Sequence, residues 1–328
     1  MGKLPFEKTR KIITRYEEET SASYGCLPHK RPIKQFLDLG IVNMDKPPGP
    51  TSTQVSDWVK TILKAGAAGH TGTLDPNVSG CLPIALDNAT KITSALLPAG
   101  KEYMVLMHLH EKVAEKDLKK VLKEFTGKIY QRPPTKSAVR KDLRIRTIYY
   151  TEILEIKEKD VLFRCGCQGG TYIRRLVHDI GVVLGCGAHM QQLRRTRAGP
   201  FTEETVVTLQ KLADAYYYLK EKKDETLIRA VVQPFESAMA HLPRVFVSDS
   251  CVDALCHGSQ LALPGIAKMD SGISANELVG VYTLKGEGVL LAKALLTSEE
   301  MKKKKKGLAV KTERVLMKTG VYPKNERK

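Results

Sequence analysis

The segment with the least ordinary composition runs from Gly69 to Pro76 and reads GHTGTLDP. It holds too many small residues to be a core segment, and Gly69 and Gly72 permit backbone turns that place neighbouring side chains in a cleft. Pro76 restricts the backbone of the preceding Asp75 toward extended geometry. The segment therefore predicts a carboxylate at the lip of a loop. Because an Asp-Pro pair alone is more typical of a turn or a helix start, this interpretation needs support from elsewhere in the chain.

A second segment, GGTYIRRLVH at 169–178, predicts a helix that starts after two glycines. Its buried stripe consists of apolar residues at helical spacing, namely Ile173, Leu176, Val177 and Ile180. This stripe leaves Arg174 and His178 on another face. Arg174 lies in the first turn and is free to carry its positive charge into a cleft.

Two further segments are basic. QQLRRTRAG at 191–199 carries Arg194, Arg195 and Arg197, which we expect to contact backbone phosphates of a polyanion rather than to lie in the core. The lysine run that begins with Lys302, Lys303 and Lys304 is compatible with an RNA contact and equally with a solvated loop.

The net charge supports a polyanionic partner. The chain has 328 residues, 53 of them Lys or Arg and 36 Asp or Glu, a formal charge of +17. Residues 301–328 hold eleven basic and two acidic side chains, so this short stretch contributes +9 and the first 300 residues contribute +8. Such an excess raises the local concentration of phosphate groups and favours nucleic acid as a partner.

Several classes of protein are disfavoured. No run of 18 apolar residues exists and the first residues are charged throughout, so we expect an unexported, cytoplasmic protein with no membrane contact. Seven cysteines in a chain of this length are read as reduced thiols. The Cys165-x-Cys167 and Cys251-x4-Cys256 spacings lack a second pair of ligands, so no metal is predicted. The sequence also lacks a P-loop, a Rossmann fingerprint and an HExxH motif.

Local patterns indicate elements that would position these residues. The apolar run at 40–45 reads as a strand, and Thr51 with Gln54 has the form of a capping box. The helix behind it would bury Val55, Trp58, Val59, Ile62 and Leu63. A second helix is predicted at 114–125. Tyr103 belongs to an alternating strand, and residues 153–165 read as a hairpin.

This order of elements predicts an α+β fold with a mainly antiparallel sheet. The pattern of predicted elements changes near residue 243. From there, a short helix at 249–257 and two strands around a Lys-Gly-Glu-Gly turn indicate a small β-barrel-like unit. We therefore divide the chain into an N-terminal extension (1–32), a catalytic domain (33–242), a second domain (243–323) and a basic tail (324–328). The extension either docks on another part of the protein or stays mobile.

Taken together and in this order, the motifs resemble the TruB family of pseudouridine synthases. They are DKPPGPTS at 45–52, GHTGTLDP at 69–76, KEYMVLMHLH at 101–110, GGTYIRRLVHDIG at 169–181 and LRRTRAGPF at 193–201. Within the family, RPPTKSAVRKDLRIR at 132–146 and GAHMQQLRRTR at 187–197 are most similar to the archaeal and eukaryotic H/ACA guide-RNA enzymes, the dyskerin group. The chain departs from that group at Gly170 and at Arg140-Lys141. It also lacks long lysine-rich tails, which favours the archaeal form.

The resemblance implies a pseudouridine synthase domain followed by a C-terminal PUA domain that binds RNA. The implied reaction breaks the N1 to C1′ bond of a uridine and joins C5 to C1′, with no cofactor. A carboxylate can attack C1′ or stabilise a developing oxocarbenium-like sugar, and it can transfer protons. Asp75 is the candidate, ionised in a dry pocket and stabilised by Arg174 nearby.

The resemblance also assigns residues around the target base, which must be flipped out of the RNA. Tyr103 would stack on the base, although its spacing alone favours a core position. Tyr172 and Leu193 would line the pocket. His70 would fill the space left by the base or contact a phosphate, or else be an ordinary hydrogen-bonded residue. Lys46 would support the loop or bind a phosphate, or else be a solvated charge.

Three functions stay open at this point. The first is the catalytic subunit of an H/ACA ribonucleoprotein, which selects uridines of rRNA by pairing with a guide RNA. Its implied partners are a small zinc-ribbon-type protein, a Gly/Arg-rich-family protein and a kink-turn-binding protein. The second is a stand-alone enzyme for the TΨC loop of tRNA, which is compatible with the first. The third is an RNA-binding scaffold that performs no catalysis.

Overall fold

The computed structural model of the chain describes residues 2–132 and 142–324. Most of the motif at 132–146, including Arg140 and Lys141, lies outside these residues, as does the basic tail beyond residue 324. The strands are β1 (Ile12–Thr14), β2 (Gly40–Lys46), β3 (Ala68–His70), β4 (Ser79–Leu86), β5 (Lys101–Leu109), β6 (Gly127–Gln131), β7 (Arg144–Lys157), β8 (Asp160–Cys167), β9 (Ala188–Ala198), β10 (Phe201–Thr202), β11 (Gln233–Pro234), β12 (Arg244–Val247), β13 (Leu261–Ala262), β14 (Ile266–Asp270), β15 (Leu278–Thr283), β16 (Gly288–Ala294) and β17 (Leu308–Val315). The α-helices are α1 (Ile33–Asp38), α2 (Ser52–Leu63), α3 (Thr93–Leu96), α4 (Glu115–Glu124), α5 (Ile173–Val183), α6 (Leu209–Tyr217), α7 (Thr226–Val231), α8 (Asp249–Cys256) and α9 (Ser298–Lys303).

Two sheets organise these elements. The larger sheet follows the order β11-β2-β4-β9-β5-β8-β7-β6, with β3 added at β4 and β10 at β9. Its strands pair antiparallel except for β4 with β9. The smaller sheet has the order β1-β14-β12-β15-β16-β17-β13. This architecture confirms the predicted α+β class with a mainly antiparallel sheet and a smaller β unit.

Apolar clusters hold helices against both sheets. Alternate residues of β5 are buried with α4 and α5 on one side of the large sheet. A second cluster joins β2 and β4 to α2, α6 and α7. A third lies between the two sheets and includes Ile41, Phe235 and Leu291, and a fourth forms the core of the smaller sheet. The elements that carry the candidate site residues are therefore fixed by packing on both sides.

The helix predicted after Thr51 begins there with both hydrogen bonds of a capping box. The Thr51 hydroxyl accepts from the Gln54 N–H at 3.1 Å, and the Gln54 side chain accepts from the Thr51 N–H at 2.8 Å. The predicted burial of Trp58 is wrong, since 44% of this side chain is exposed. The helix packs through Val55 and Val59, and Trp58 lies at the edge of the face they form.

Other local predictions are confirmed. The helix predicted at 114–125 is α4, buried Tyr103 alternates with half-buried neighbours along β5, and 153–165 forms the β7–β8 hairpin. The N-terminal extension docks rather than staying mobile: β1 pairs antiparallel with β14, and Thr20 hydrogen-bonds Asp249 at 2.9 Å. Over residues 2–132 and 142–324, no helix combines the length and apolar character needed to span a bilayer.

Candidate active site

Asp75 and Arg174 form an ion pair at the surface of the large sheet. Their Oδ2 and Nη2 atoms are 2.5 Å apart, although 99 residues separate them in sequence. Asp75 starts a turn closed by the Val78 N–H at 3.0 Å, and Arg174 is the second residue of α5. The side chains are 51% and 57% exposed. The predicted proximity is confirmed, whereas the predicted dry pocket is not formed by residues 2–132 and 142–324, which leave about half of each side chain exposed.

Lys46 anchors the Asp75 loop from below. Its side chain is completely buried at the end of β2, and its ammonium group donates to the carbonyls of Pro76 and Val78, both at 2.8 Å, and of Pro47 at 2.9 Å. Burial, and secondly the charge of Arg195, lowers its pKa. The predicted phosphate contact and the solvated alternative are both wrong, because no part of the side chain reaches solvent. Support of the loop is the prediction that agrees with these contacts.

Ser52 fixes the residue just before Asp75. Its hydroxyl accepts from the Leu74 N–H at 2.8 Å and donates to the Leu74 carbonyl at 3.1 Å. Leu74 itself is buried in the cluster beneath β5. The sequence singled out Thr51 as the helix cap but not the serine after it, since a small polar residue in a first turn carries no distinctive signal.

Arg195 is buried to 99% and binds the backbone on both sides of the loop. Its Nε donates to the Cys81 carbonyl at 2.7 Å and its Nη2 to the Gly72 carbonyl at 3.0 Å. The predicted phosphate contact is therefore wrong for this residue. Its burial follows from the parallel pairing of β4 with β9, where Gly80 has φ +105° and a Cβ would lie 2.2 Å from the Arg195 carbonyl.

The glycines of the GHTGTLDP segment differ in role. Gly72 has φ +150°, as the predicted turn requires. Gly69 is inside β3, paired with Ala85, and has no positive φ. The prediction of a turn at Gly69 is wrong, because the strand continues through it to His70.

The other two arginines of this strand are partly exposed and paired with carboxylates. Arg194 forms a bidentate pair with Asp45, at 2.9 and 3.2 Å, and contacts Glu203 at 2.5 Å. Arg197 contacts Glu7 at 2.6 Å. Phosphate binding by either residue stays a prediction, and a phosphate would have to share a guanidinium that a carboxylate already binds.

Tyr103 lies in the core, as its spacing suggests. It is 8% exposed and pairs across the strands with Cys165 on β8 and Arg195 on β9. Burial raises the pKa of its phenol to about 12, so the ring is neutral at physiological pH. Whether this ring also stacks on a base stays a prediction.

The remaining pocket candidates lie on three different elements. Tyr172 is the N-cap residue of α5, two positions before Arg174. Leu193 is partly buried against the cluster beneath β5 and pairs with Val105. His70 ends β3, and burial followed by the Arg195 charge lowers its pKa, which favours the neutral imidazole. The roles assigned to these three residues stay predictions.

Lys101 is a buried cation that the sequence did not single out. Its ammonium group donates to the carbonyls of Leu96 at 2.8 Å and Ala99 at 2.7 Å. Burial is the main reason that its pKa falls to about 7, and the neighbouring Arg195 adds to the effect. An alternating strand that opens with a lysine gives no signal that this amine turns inward.

The lysine run lies on the smaller sheet, away from these groups. Lys302 and Lys303 form the last turn of α9, so the solvated-loop interpretation is wrong for them, and Lys304 contacts Glu300 at 3.4 Å. All three are exposed. In the same sheet, Lys293 on β16 lies directly opposite Lys311 on β17. Like charges opposite each other on neighbouring strands lower the stability of the protein. RNA binding by this surface stays a prediction.

Family comparisons cover almost the entire chain. Residues 60–173 match the N-terminal domain of the TruB family pseudouridylate synthases, and residues 174–240 match the tRNA pseudouridylate synthase B C-terminal domain. Residues 243–316 match the PUA domain, and residues 2–56 match the DKCLD domain.

Individual relatives align end to end. Proteins described as probable tRNA pseudouridine synthase B are 54% identical in Methanosarcina barkeri and 53% identical in Pyrococcus furiosus, covering 98% of this chain and 96% and 95% of theirs. Among solved structures, a Cbf5-Nop10-Gar1 complex holds a chain with 53% identity and a TM-score of 0.93, with 98% of both chains covered. An H/ACA RNP bound to a substrate RNA containing 2′-deoxyuridine holds one with 52% identity and a TM-score of 0.92, covering 98% of this chain and 99% of that one. This chain belongs to the TruB family of pseudouridine synthases, isomerases that act on uridine in RNA.

Proposed function

We propose that this enzyme uses Asp75 as its catalytic carboxylate and that H/ACA guide RNA directs it to uridines in rRNA. The observation that carries the assignment of Asp75 is the 2.5 Å contact with Arg174 on an open surface of the sheet. Among the described residues, the Arg174 guanidinium contacts the carboxylate directly, whereas Lys46 and Arg195 bind the backbone behind the loop. The Asp75 carboxylate is half exposed, so a ribose could approach it from solvent.

The chemistry balances as an isomerisation without a cofactor. The bond from N1 to C1′ of the target uridine breaks, either by attack of the Asp75 carboxylate on C1′ or through an oxocarbenium-like sugar that the carboxylate stabilises. The uracil turns and C5 bonds to C1′; where Asp75 has formed an ester with C1′, that C–O bond breaks in this step and the carboxylate is released. The C5 proton is then lost while N1 gains one. Arg174 donates a hydrogen bond to the Asp75 carboxylate, so its guanidinium lies beside the group that would act on C1′.

The exposure of the pair fits a substrate that supplies the missing walls of the pocket. A flipped uridine and its flanking nucleotides would cover Asp75 and Arg174 and exclude water from them. We propose that Tyr103 then stacks on the base, that Tyr172 and Leu193 line the pocket, and that His70 fills the space the base leaves or contacts a phosphate. The net charge of +17 favours the approach of the RNA backbone.

Guide dependence is supported by the relatives of known structure. At 52–53% identity over nearly the full length, one such chain is in a Cbf5-Nop10-Gar1 complex and another in an H/ACA RNP with substrate RNA. We propose that this chain assembles with the corresponding small zinc-ribbon-type and Gly/Arg-rich-family proteins, with a kink-turn-binding protein, and with a guide RNA held by residues 243–323.

A second activity, on the TΨC loop of tRNA without a guide, is proposed because the curated relatives carry the name tRNA pseudouridine synthase B. We also propose that the domains of the chain begin at residues 33 and 243. We further propose that the enzyme acts in the cytoplasm. The cytoplasmic location is supported by its seven cysteines, which are all free thiols.

One assay tests these proposals: tritium release from RNA labelled at C5 of uridine. The wild-type chain is compared with Asp75→Asn on tRNA and on an rRNA fragment, each with and without guide RNA and accessory proteins. We expect rRNA turnover only in the guided particle and none with Asp75→Asn. Activity that survives in the Asp75→Asn particle would overturn the carboxylate assignment. Turnover of rRNA that is unaffected by the guide would overturn guide dependence.

A further inference from the structure

Gln131 makes an unusual pair of contacts with the backbone at the start of α5. It is the last residue of β6, and its side chain is 98% buried. Its Oε1 accepts from the Tyr172 N–H at 3.0 Å, and its Nε2 donates to the Tyr172 carbonyl at 3.1 Å. The amide thus binds both polar backbone groups of one residue, as a neighbouring strand would.

The start of α5 depends on this contact because its N-cap residue supplies no side-chain cap. The loop before it turns sharply at Gly170, where φ is +80°, and in the same loop the Gln168 Oε1 accepts from the Thr147 N–H at 3.2 Å. The Tyr172 carbonyl also accepts the Leu176 N–H at 3.0 Å, which is the first hydrogen bond of the helix. Gln131 therefore fixes the residue from which the first turn of α5 is built.

Arg174 is the functional side chain of that turn. It lies two residues after Tyr172, so a shift or rotation of Tyr172 moves the Arg174 Cα with it. The ion pair with Asp75 is half exposed and cannot hold the helix start in place by itself. Ile173 and Leu176 hold the helix against the core, and the buried Gln131 amide adds the hydrogen bonds that fix the backbone of Tyr172.

We propose that Gln131 is a positioning residue, which acts through Tyr172 to place the Arg174 guanidinium against the catalytic carboxylate. This inference rests on the proposed roles of Asp75 and Arg174. It gives a function to a residue that contacts no substrate and that stands directly before the RPPTKSAVRKDLRIR motif.

The expected effect is kinetic. Displacement of a catalytic group by about 1 Å can reduce the rate by about 100-fold. Gln131→Met keeps the volume of the side chain and removes both hydrogen bonds, so we expect the single-turnover rate of the particle to fall by about 10- to 100-fold. The affinity for substrate RNA should stay within about twofold, because Gln131 is buried beneath the surface that the RNA would contact.

A double-mutant cycle separates positioning from general stability. Single-turnover rates are measured in the assembled particle for wild type, Gln131→Met, Arg174→Ala and the double variant, with the substrate affinity and the melting temperature of each. If Gln131 acts through Arg174, the double variant is as slow as Arg174→Ala alone. Gln210→Met, the same change at an exposed glutamine of α6, is the matched control and should match wild type.

Multiplicative rate losses in the double variant, or a wild-type rate for Gln131→Met, would overturn the inference. If Gln131→Met lowers the melting temperature strongly, the rates of all variants are compared at a temperature at which each particle is fully folded. Asp75→Asn is run alongside. An active Asp75→Asn particle refutes the proposed function, whereas an inactive one beside an unaffected Gln131→Met refutes this inference alone.

Discussion

Replacing Lys101 by methionine should change how the stability of the protein depends on pH. The Lys101 side chain is 4% exposed, and its two close hydrogen bonds go to backbone carbonyls rather than to a carboxylate. Burial and then the Arg195 charge lower its pKa from 10.5 to about 7. The folded protein therefore releases this proton at a much lower pH than the unfolded chain does.

The sign of the effect follows from proton counting. Below about pH 7 both states hold the proton, and above about pH 10.5 neither does. Between these limits the unfolded chain binds one more proton than the folded protein, so the free energy of unfolding rises with pH. One released proton changes the free energy of unfolding by at most about 1.4 kcal/mol per pH unit. Lys101 should therefore raise the free energy of unfolding by about 2 to 3 kcal/mol between pH 7 and pH 9.

Urea unfolding at a series of pH values measures this difference. The fluorescence of Trp58, the one tryptophan, reports on α2 and the large sheet. The free energy of wild type minus that of Lys101→Met should rise from pH 7 to pH 9. Lys128→Met, at an exposed lysine of β6, is the control and should leave the wild-type slope unchanged. Parallel curves for wild type and Lys101→Met would refute the depressed pKa of Lys101.

Three further predictions concern the anchors and the basic surface. Arg195→Leu removes the donors of two buried carbonyls, which should lower the free energy of unfolding in urea by about 1 to 3 kcal/mol for each carbonyl. The turnover of the folded fraction should also fall. Undiminished turnover would show that the loop does not need this contact. Lys46→Met should reduce the single-turnover rate at least tenfold with unchanged affinity for RNA, whereas weaker RNA binding with a normal rate would restore the phosphate interpretation. Reversing the charges from Lys302 to Lys306 should weaken guide RNA binding and flatten its salt dependence, and an identical salt slope would return this run to a merely solvated role.

The elements of the fold were predictable where their signals are local. A capping box and a 3.6-residue period identified α2, and a period of two identified β5, because both patterns are properties of neighbouring residues. The docking of the N-terminal extension was not predictable, because the partner of β1 is β14, more than 250 residues away. Trp58 shows the limit of periodicity as a predictor. Helical spacing identifies an apolar stripe, but it does not tell how much of that stripe other elements of the fold cover.

In the candidate site, too, features with a local sequence signal were predictable and long-range contacts were not. Arg174 was placed on the free face of α5 from spacing alone, but its contact with Asp75 came only with the family resemblance. Arg195 was expected at the surface because charged side chains are seldom buried without a partner, and for Lys46 loop support stood beside a phosphate contact and a solvated charge. Here their partners are backbone carbonyls of the Asp75 loop, which no sequence pattern marks.

These buried donors explain how an exposed pair can have a defined geometry. An ion pair that is half exposed on both sides contributes little to stability, so the contact between Asp75 and Arg174 does not determine where either residue lies. Their positions are set from behind, by hydrogen bonds from Lys46, Arg195 and Gln131 to main-chain atoms of the flanking residues. The site is thus organised before RNA arrives, and the substrate has only to exclude water from it. Pre-organisation of this kind reduces the free energy that binding must supply to orient the reacting groups.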